Sequence, residues 1–325
     1  MRIGLLLPQG YFDEFSGFQP VDAWKRTLEI AKLGERLGFG SLWLGEHTLS
    51  KWDPEGLLFD CWTVASAVAA SVPRVDLGFC VINSTFHNPA HTAKDASTLD
   101  AISGGRLILG LGAGFKENEA KAYGIPYPDL KTRLAMLGEH LEIISRMTRR
   151  DEPPFTFIGE HARVEDVINN PRTSGRDHIP LLIGGHGKNV TYRLAAKYCD
   201  EIQIDVDPPD WKEHVAVLHD RCEEIGRDPA TLMASAGTNP AFPYPGLKVT
   251  GRQRFMTQDD VPSIMPATLG NLKTRAEEIA TWKELGAGRL VLGAPGAADT
   301  DESIYELVED LRLAGIELTP AEAVS

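Results

Sequence analysis

The sequence predicts an α/β protein with the (β/α)8 TIM-barrel fold, in a single domain of residues 1–325. Eight apolar runs alternate with segments of helical periodicity, and eight strand–helix units are the number that closes such a barrel. The runs are continuously apolar, which is typical of strands buried on both faces of a parallel sheet. The predicted strands are residues 2–7, 41–46, 75–82, 106–111, 180–185, 200–205, 231–236 and 289–294.

Helices are predicted between these strands from periodicity and from capping residues. Asp60 can cap "CWTVASAVAA", and Asn88 followed by Pro89 supplies a cap and a proline at the first helical position. The glycines of "ISGGR" end that second helix. Two further helices each place apolar residues on one face: Leu134, Leu137, Leu141 and Ile144 in one, and Trp211, Val215, Leu218, Cys222 and Ile225 in the other.

Two connections are too long for a minimal barrel. Residues 149–179 follow the fourth predicted helix and contain a hairpin-like stretch, "PFTFIGEHARVEDVINNPR". Residues 237–270 follow the seventh strand and leave the carboxyl face, where barrel active sites lie. Because long loops in compact domains are usually functional, we interpret 237–270 as a lid-like insertion over the substrate.

Composition limits the class of protein. The formal charge of −13 argues against general nucleic-acid binding, and no apolar run approaches the length of a membrane span. The apolar core of "MRIGLLLPQG" is too short for a signal peptide. The four cysteines are widely spaced without a C-x-x-C pair, which favours reduced thiols. We therefore expect a cytoplasmic protein that binds a small molecule and neither nucleic acid nor a membrane.

Residues at the carboxyl ends of the strands are the candidates for chemistry, because barrel enzymes draw their catalytic groups from there. His47 follows the second strand, and an imidazole suits proton transfer near neutral pH or hydrogen bonding to a redox ring. The alternative is a structural histidine. No metal site is predicted, because His87 and His91 flank a helix start without the H-E-x-x-H pattern. Neither a G-x-S-x-G elbow nor a lysine at a strand end is present.

Two glycine-rich turns follow predicted strands. In "GLGAGFKENE" the glycines at 110, 112 and 114 do not fit G-x-G-x-x-G, so they either bring the backbone close to a ligand or only form a tight turn. "IGGHGKN" at 183–189 precedes a helix start, where unshielded backbone N–H groups can hold phosphate, with Lys188 adding charge. Residues 170–197 hold five basic residues and one acid, which also suggests an anionic ligand.

These motifs occur together in one known family. The segments "LGERLGFGSLWLGEH" (33–47), "HNPAHTAKDASTLDAISGGRLILGLGAGFKENEAKAYG" (87–124), "RLAMLGEHLEII" (133–144) and "IPLLIGGHGKNVTYRLAAKYCDEI" (179–202) stand in the family's order. The chain resembles the bacterial luciferase-like superfamily of barrels, which bind FMN or the deazaflavin coenzyme F420. The resemblance fades after about residue 236.

The resemblance implies a set of cofactor contacts. Glu46 and His47 match the acid–histidine pair after the second strand, with His47 facing the reactive ring. A non-prolyl cis peptide is expected at Cys80-Val81, behind the ring, and Asn83 is expected at the ring edge. The remaining implied contacts are Ala113, Gly114 and Asn118 along the cofactor, and Gly184, Gly185, Gly187 and Lys188 at its phosphate.

The resemblance further implies the reaction class. F420-dependent glucose-6-phosphate dehydrogenases have a catalytic glutamate where this chain has Phe115, so sugar-phosphate oxidation is not expected. We favour an F420-dependent oxidoreductase that transfers a hydride to or from a small organic substrate, since "ISGGRLILGLGAGF" is closer to that branch and the basic residues suit a polyglutamate tail.

Three alternatives stay open at this point. One is an FMN-dependent, oxygen-consuming monooxygenase that is supplied by a separate reductase. A second is a flavin-binding barrel without catalysis, and a third is a cofactor-free barrel enzyme that acts on sugar phosphates. The family also implies a homodimer.

Overall fold

The fold is a closed barrel of eight parallel strands, as predicted. The computed structural model describes residues 1–51, 53–173, 175–237 and 274–319. Around the barrel the strands follow the order β1, β2, β3, β5, β8, β9, β10 and β11, and β11 pairs back with β1. These strands are β1 Arg2–Leu6, β2 Ser41–Leu44, β3 Asp76–Phe79, β5 Leu107–Gly112, β8 Leu181–Gly184, β9 Glu201–Ile204, β10 Met233–Gly237 and β11 Arg289–Leu292.

Helices cover the outside of the barrel, and the helix caps that the sequence predicted are confirmed. Asp60 accepts a hydrogen bond from Thr63 N, Asn88 accepts from two backbone N–H groups, and Gly104 ends its helix with φ 72°. The helices are α1 Pro20–Leu37, α2 Cys61–Ser71, α3 Pro89–Ser103, α4 Glu117–Ala122, α5 Leu130–Met147, α6 Thr191–Tyr198, α7 Trp211–Glu223, α8 Arg275–Glu284 and α9 Glu302–Leu313.

The structure adds details to the predicted elements. The third predicted strand divides at a cis peptide bond between Cys80 and Val81, and its second part is the short β4 Ile82–Asn83. The short helix α4 was not predicted. The hairpin in the first insertion is confirmed as antiparallel strands β6 Phe155–Ile158 and β7 Arg163–Val167. One prediction was wrong: α7 ends before Ile225, which is 56% exposed.

The barrel interior is closed at its amino end by a buried polar network. The carboxylate of Glu201 lies 3.0 Å from Arg289, and both side chains are under 5% exposed. Arg289 also donates to Ser41 Oγ, which accepts from the indole N–H of Trp43. The Trp43 ring packs above with an apolar cluster that includes Leu182. Every polar atom named here has a partner, as burial requires.

Part of the predicted organisation lies outside the described residues. The lid-like insertion is almost wholly there, since the described chain breaks after Gly237 and resumes at residue 274. The single domain of residues 1–325 stays a prediction. Across the described ranges, no helix is long and apolar enough to cross a membrane. The four cysteines are free thiols, and three of them are buried.

Candidate active site

His47 lies at the carboxyl end of the barrel and is paired with an acid from another loop. Its Nδ1 is 2.9 Å from Oε1 of Glu119, which lies on α4 beyond β5. The other carboxylate oxygen accepts a hydrogen bond from the backbone N–H of Thr48, at 3.3 Å. The Glu119 side chain is 4% exposed and that of His47 is 15% exposed. A nearly buried carboxylate therefore orients a more accessible imidazole.

Aromatic rings enclose this imidazole on two sides. Tyr11, from the loop after β1, stacks on His47 with ring centroids 3.5 Å apart and an interplanar angle of 10°. Phe115 meets the imidazole edge-on at 5.9 Å. The pKa of Tyr11 is raised, first by burial and then by the charge of Glu119, so the phenol stays protonated. The rings hold the imidazole in place, and neither ring competes with it for a proton.

Glu46, which the resemblance placed beside His47, stabilises the backbone after the cis peptide. Its two oxygens accept from Asn83 N and approach His87 Nε2, each at 2.6 Å. Burial alone would lower the pKa of His87. The hydrogen bond and charge of Glu46, with Asp95 and Asp60 adding to them, outweigh burial and leave this pKa raised. The Glu46–His87 pair thus fixes the segment that carries Asn83.

The predicted cis peptide is confirmed, and Val81 beside it occupies the top of the barrel interior. A Cβ on Gly112 would lie 2.7 Å from one Val81 methyl, and a Cβ on Gly184 would lie 3.1 Å from the other. These two glycines therefore make room for Val81. Burial, with the charges of Asp205 and Glu201, raises the pKa of the Cys80 thiol to about 12, so it stays protonated. Cys80 and Val81 form an apolar floor beneath the barrel mouth.

The loop after β5 carries the other predicted ring contacts. Gly114 has φ 76°, and a Cβ there would lie 2.5 Å from Asn83 Oδ1, so this glycine allows the two loops to touch. The carbonyl of Ala113 accepts from Arg133 at 3.2 Å. Asn118 is exposed on α4, one residue before Glu119. The structure thus brings Asn83, Ala113 and Gly114 together and leaves Asn118 at the rim.

The turn after β8 is suited to an anion. Gly185 has φ 134° and is half-buried, and Gly187 is exposed. Helix α6 begins just beyond them, and its N-cap residue Val190 makes no side-chain hydrogen bond. The Lys188 ammonium lies 2.5 Å from Glu213 on α7, so this lysine is paired with an acid instead of extending over the glycines.

The basic residues of segment 170–197 do not form one cluster, contrary to the sequence-based interpretation. Arg176 pairs with Asp100 and also donates to the carbonyl of Leu107, the first residue of β5. Arg193 binds Glu224 on the outer surface. This spread follows from the fold, because residues before and after a barrel strand lie at opposite ends of the barrel.

Three groups at the mouth were missed by sequence reasoning: Tyr11, Glu14 and Glu119. Burial raises the pKa of Glu14 to about 7, against the opposing effect of hydrogen bonds from backbone N–H groups such as that of Phe12. Glu14 and Phe12 line a cavity of about 30 Å³ beside the loop after β11. The sequence did carry a signal for Glu119, because this acid follows β5 closely, four residues after Phe115, and so belongs to the carboxyl face of the barrel. No local signal marks Tyr11 or Glu14, since their environment is tertiary.

Two buried hydroxyls at the mouth have no partner among the described residues: Thr48 Oγ1 and Ser84 Oγ. Such atoms are rare in folded proteins. A groove of about 760 Å³ lies elsewhere, on the outer face of α5 and α6, and contains none of the candidate groups. Across the described ranges, no three His, Cys, Asp or Glu side chains are placed to hold a metal ion.

The family model described as luciferase-like monooxygenase matches residues 1–241. An F420-dependent glucose-6-phosphate dehydrogenase of Amycolatopsis mediterranei is 35% identical over 198 residues, which are 59% of this chain and 54% of that protein. A 4-hydroxyprotoasukamycin monooxygenase of Streptomyces nodosus subsp. asukaensis is 30% identical over 173 residues, 53% of this chain and 45% of that protein. The match therefore spans about half the length of these relatives.

A solved structure shares the fold over nearly the whole chain. It is an F420-dependent secondary alcohol dehydrogenase in complex with an F420-acetone adduct, with a TM-score of 0.73 and 22% identity. The alignment covers 96% of this chain and 99% of that one.

Proposed function

The chain belongs to the luciferase-like monooxygenase family, and on this premise we propose that it is an oxidoreductase that uses coenzyme F420 to transfer a hydride to or from a small organic substrate. The observation that carries the proposal is the pair of His47 and Glu119 at the barrel mouth. The pair lies on the loops after β2 and β5, at the same end of the barrel as the apolar floor of Cys80 and Val81 and the glycine-rich turn after β8.

His47 exchanges a proton with the substrate through Nε2. The Glu119 carboxylate can only accept hydrogen bonds, so the imidazole places a hydrogen on Nδ1 and presents Nε2 outward. Stacking on Tyr11 fixes the plane of the ring. When Nε2 is protonated, Glu119 stabilises the positive charge of the imidazole, which favours uptake of the proton from an alcohol whose hydride leaves to the cofactor.

The residues at the mouth fit a deazaflavin or a flavin. The N–H of Gly185 donates to the carbonyl of Gln203, so the backbone N–H groups that follow it, at Gly187 and the start of α6, would bind the phosphate. Val81 and Cys80 would support one face of the ring, and Asn83, Ala113 and Gly114 would border it. When bound, coenzyme F420 supplies two-electron hydride chemistry.

The choice of F420 is supported by two relatives whose names specify this cofactor. The dehydrogenase of Amycolatopsis mediterranei and the alcohol dehydrogenase structure are both named as F420-dependent. The FMN-dependent monooxygenase is the second candidate, and the relative from Streptomyces nodosus favours it because its name is that of a monooxygenase. If the cofactor is used in its reduced form, a separate flavin or F420 reductase would supply it. The proposal includes a homodimer.

The deciding experiment is a parallel titration of the purified protein with F420 and with FMN, followed by fluorescence. F420 binding at least about tenfold tighter than FMN binding, a difference of about 1.4 kcal/mol, would support the proposal. The reverse preference, together with turnover that consumes oxygen, would identify the monooxygenase. If neither cofactor binds, the proposed function is wrong.

Replacement of His47 tests its role in proton transfer. We expect His47→Ala to fold, to keep cofactor affinity within a few-fold, and to lower turnover by about 10²-fold, the usual effect of losing an acid–base group. His219→Ala, an exposed histidine on α7, is the matched control and should leave the rate unchanged. Unchanged turnover in His47→Ala would exclude this histidine from the reaction.

A further inference from the structure

Strand β9 and the residue after it send three polar side chains into the barrel, one above another. Alternate residues of a strand point to the same face, and Glu201, at the amino end of β9, lies inside the barrel with Arg289. Gln203 and Asp205 therefore follow on this face toward the mouth. A Cβ on Gly237, at the end of β10, would overlap the amide of Gln203 and lie 3.1 Å from Oδ1 of Asp205. The Asp205 carboxylate thus lies in the barrel mouth beside the Gln203 amide.

The upper two of these side chains have no partner within the described ranges. No hydrogen bond or ion pair joins the Gln203 amide or the Asp205 carboxylate to another residue, whereas Glu201 below them has Arg289. Burial in the barrel raises the pKa of Asp205, and the opposing charge of His186, after β8, does not cancel this effect. Asp205 is nevertheless exposed to solvent at the mouth. An acceptor that is accessible, poorly hydrated and unpaired is suited to bind a hydrogen-bond donor of a ligand.

Asp205 faces His47 across the barrel mouth. In the closed ring of eight strands, β9 is four strands away from β2 in either direction, so the residues that follow these two strands stand on opposite sides. The apolar floor of Cys80 and Val81 lies beneath the mouth, and the charge of Asp205 adds to the effect of burial in raising the pKa of the Cys80 thiol. The interior of an eight-stranded barrel is wide enough for one small ligand. A substrate in the mouth therefore meets His47 on one side and Asp205 on the other.

We propose that Asp205 binds a protonated amino group of the substrate, with the amide oxygen of Gln203 as a second acceptor. One ammonium group has three donors and can bind both oxygens. The substrate is therefore a small amino alcohol, or the matching amino carbonyl compound, whose nitrogen lies at Asp205 and whose reacting carbon lies beside His47. In the oxidation, the hydroxyl proton goes to His47 and the hydride of the same carbon goes to the cofactor, which leaves the carbonyl compound. This inference rests on the proposed function and specifies its substrate class.

The probes are tert-butylamine, which is charged at neutral pH, and tert-butanol, which has the same shape and is neutral. Neither has a hydrogen on the carbon that bears the nitrogen or oxygen, so neither can give up a hydride. Each is titrated into the protein loaded with its preferred cofactor, with binding read from cofactor fluorescence, and into cofactor-free protein, with binding read by saturation-transfer NMR. We expect the amine to bind about tenfold more tightly than the alcohol, since a hydrogen bond between charged groups exceeds a neutral one by about this factor. In Asp205→Asn the ratio should fall to about one.

Two further variants complete the experiment. Asp220→Asn replaces an exposed acid on α7, so it removes the same charge away from the mouth and should leave the ratio unchanged. Asp205→Ser removes the carboxylate with a smaller side chain, and it replaces Asp205→Asn in the test if that variant does not fold.

A ratio near one in the wild-type protein, or a ratio that survives the loss of the Asp205 carboxylate, would overturn the proposal. So would a loss of cofactor affinity of about tenfold or more in the Asp205 variants, because the carboxylate would then bind the cofactor. If neither cofactor binds, the proposed function fails, and the NMR titration of cofactor-free protein still tests the binding of the amine at Asp205.

Discussion

Replacement of Glu119 by glutamine removes a charge from the proposed proton-transfer pair while keeping the shape of the side chain. Its Oε1 is 2.9 Å from His47 Nδ1 and the side chain is 4% exposed, so water does not screen this contact. A hydrogen bond to a charged group in such a place contributes about 1.5–3 kcal/mol. If all of this is lost when Nε2 takes up a proton, turnover should fall by about 10- to 150-fold.

Two measurements test this reasoning. Nitrogen-15 NMR of histidine-labelled protein reports which ring nitrogen of His47 carries the hydrogen, and steady-state kinetics report turnover. In wild-type protein we expect Nδ1 to be protonated. In Glu119→Gln the glutamine amide can donate to Nδ1, so the hydrogen should move to Nε2 in part of the population.

Glu117→Gln is the matched control, because Glu117 lies on the same helix and is exposed. It should change neither the spectrum nor the rate. If Glu119→Gln keeps the wild-type tautomer and rate, then Glu119 is only a structural residue that anchors the N–H of Thr48, and the proposed pair is wrong.

Three further predictions concern stability. Burial raises the pKa of Glu14 from its usual 4.5 to about 7, so only the folded state holds this proton between these values, and stability falls as the pH rises through them. In urea unfolding, Glu14→Gln should be more stable than the wild type by up to about 3 kcal/mol near pH 8 and equally stable near pH 4. Gly110→Ala should lower the free energy of unfolding by about 3 kcal/mol or prevent folding, because its methyl group would overlap the backbone of the neighbouring strand. Gly40→Ala is the control and should lower it by under about 1 kcal/mol. Similar melting temperatures for the two variants would refute this difference. Arg289→Met should lower the free energy of unfolding by about 3–5 kcal/mol, because it leaves the Glu201 carboxylate buried without its partner, and Arg289→Met/Glu201→Gln should lower it by less. If the loss in the double variant equals the sum of the two single losses, the two residues do not act as a buried pair.

The sequence predicted the barrel because its strands and helices are specified locally. Continuous apolar runs identify strands that are buried on both faces, and Asp60 and Asn88 cap their own helices within three residues. The extra helix α4 was missed because its six residues give too short a pattern to recognise. Ile225 was assigned to α7 because helical spacing continues past the point where the helix ends.

The sequence also predicted only part of the candidate site. The position of His47 along the chain was sufficient to place it in the site, since a residue that follows a barrel strand must lie at the carboxyl face. The motif resemblance indicated the cis peptide at Cys80-Val81. Glycines were harder to interpret, because the sequence shows where side chains are missing and not what fills the space. Gly112 and Gly184 make room for Val81.

The sequence by itself determined the fold class, the order of the strands and the end of the barrel at which chemistry is expected, because these depend on periodicity and on short-range caps. Only the tertiary structure decided which side chains act together. His47 contacts Glu119, which lies 72 residues away along the chain. Such a pair depends on how loops from different strands converge in space, and the local sequence does not specify the distance between those loops. For the same reason the sequence did not show that Arg176 lies at the opposite end of the barrel, where it donates to the carbonyl of Leu107.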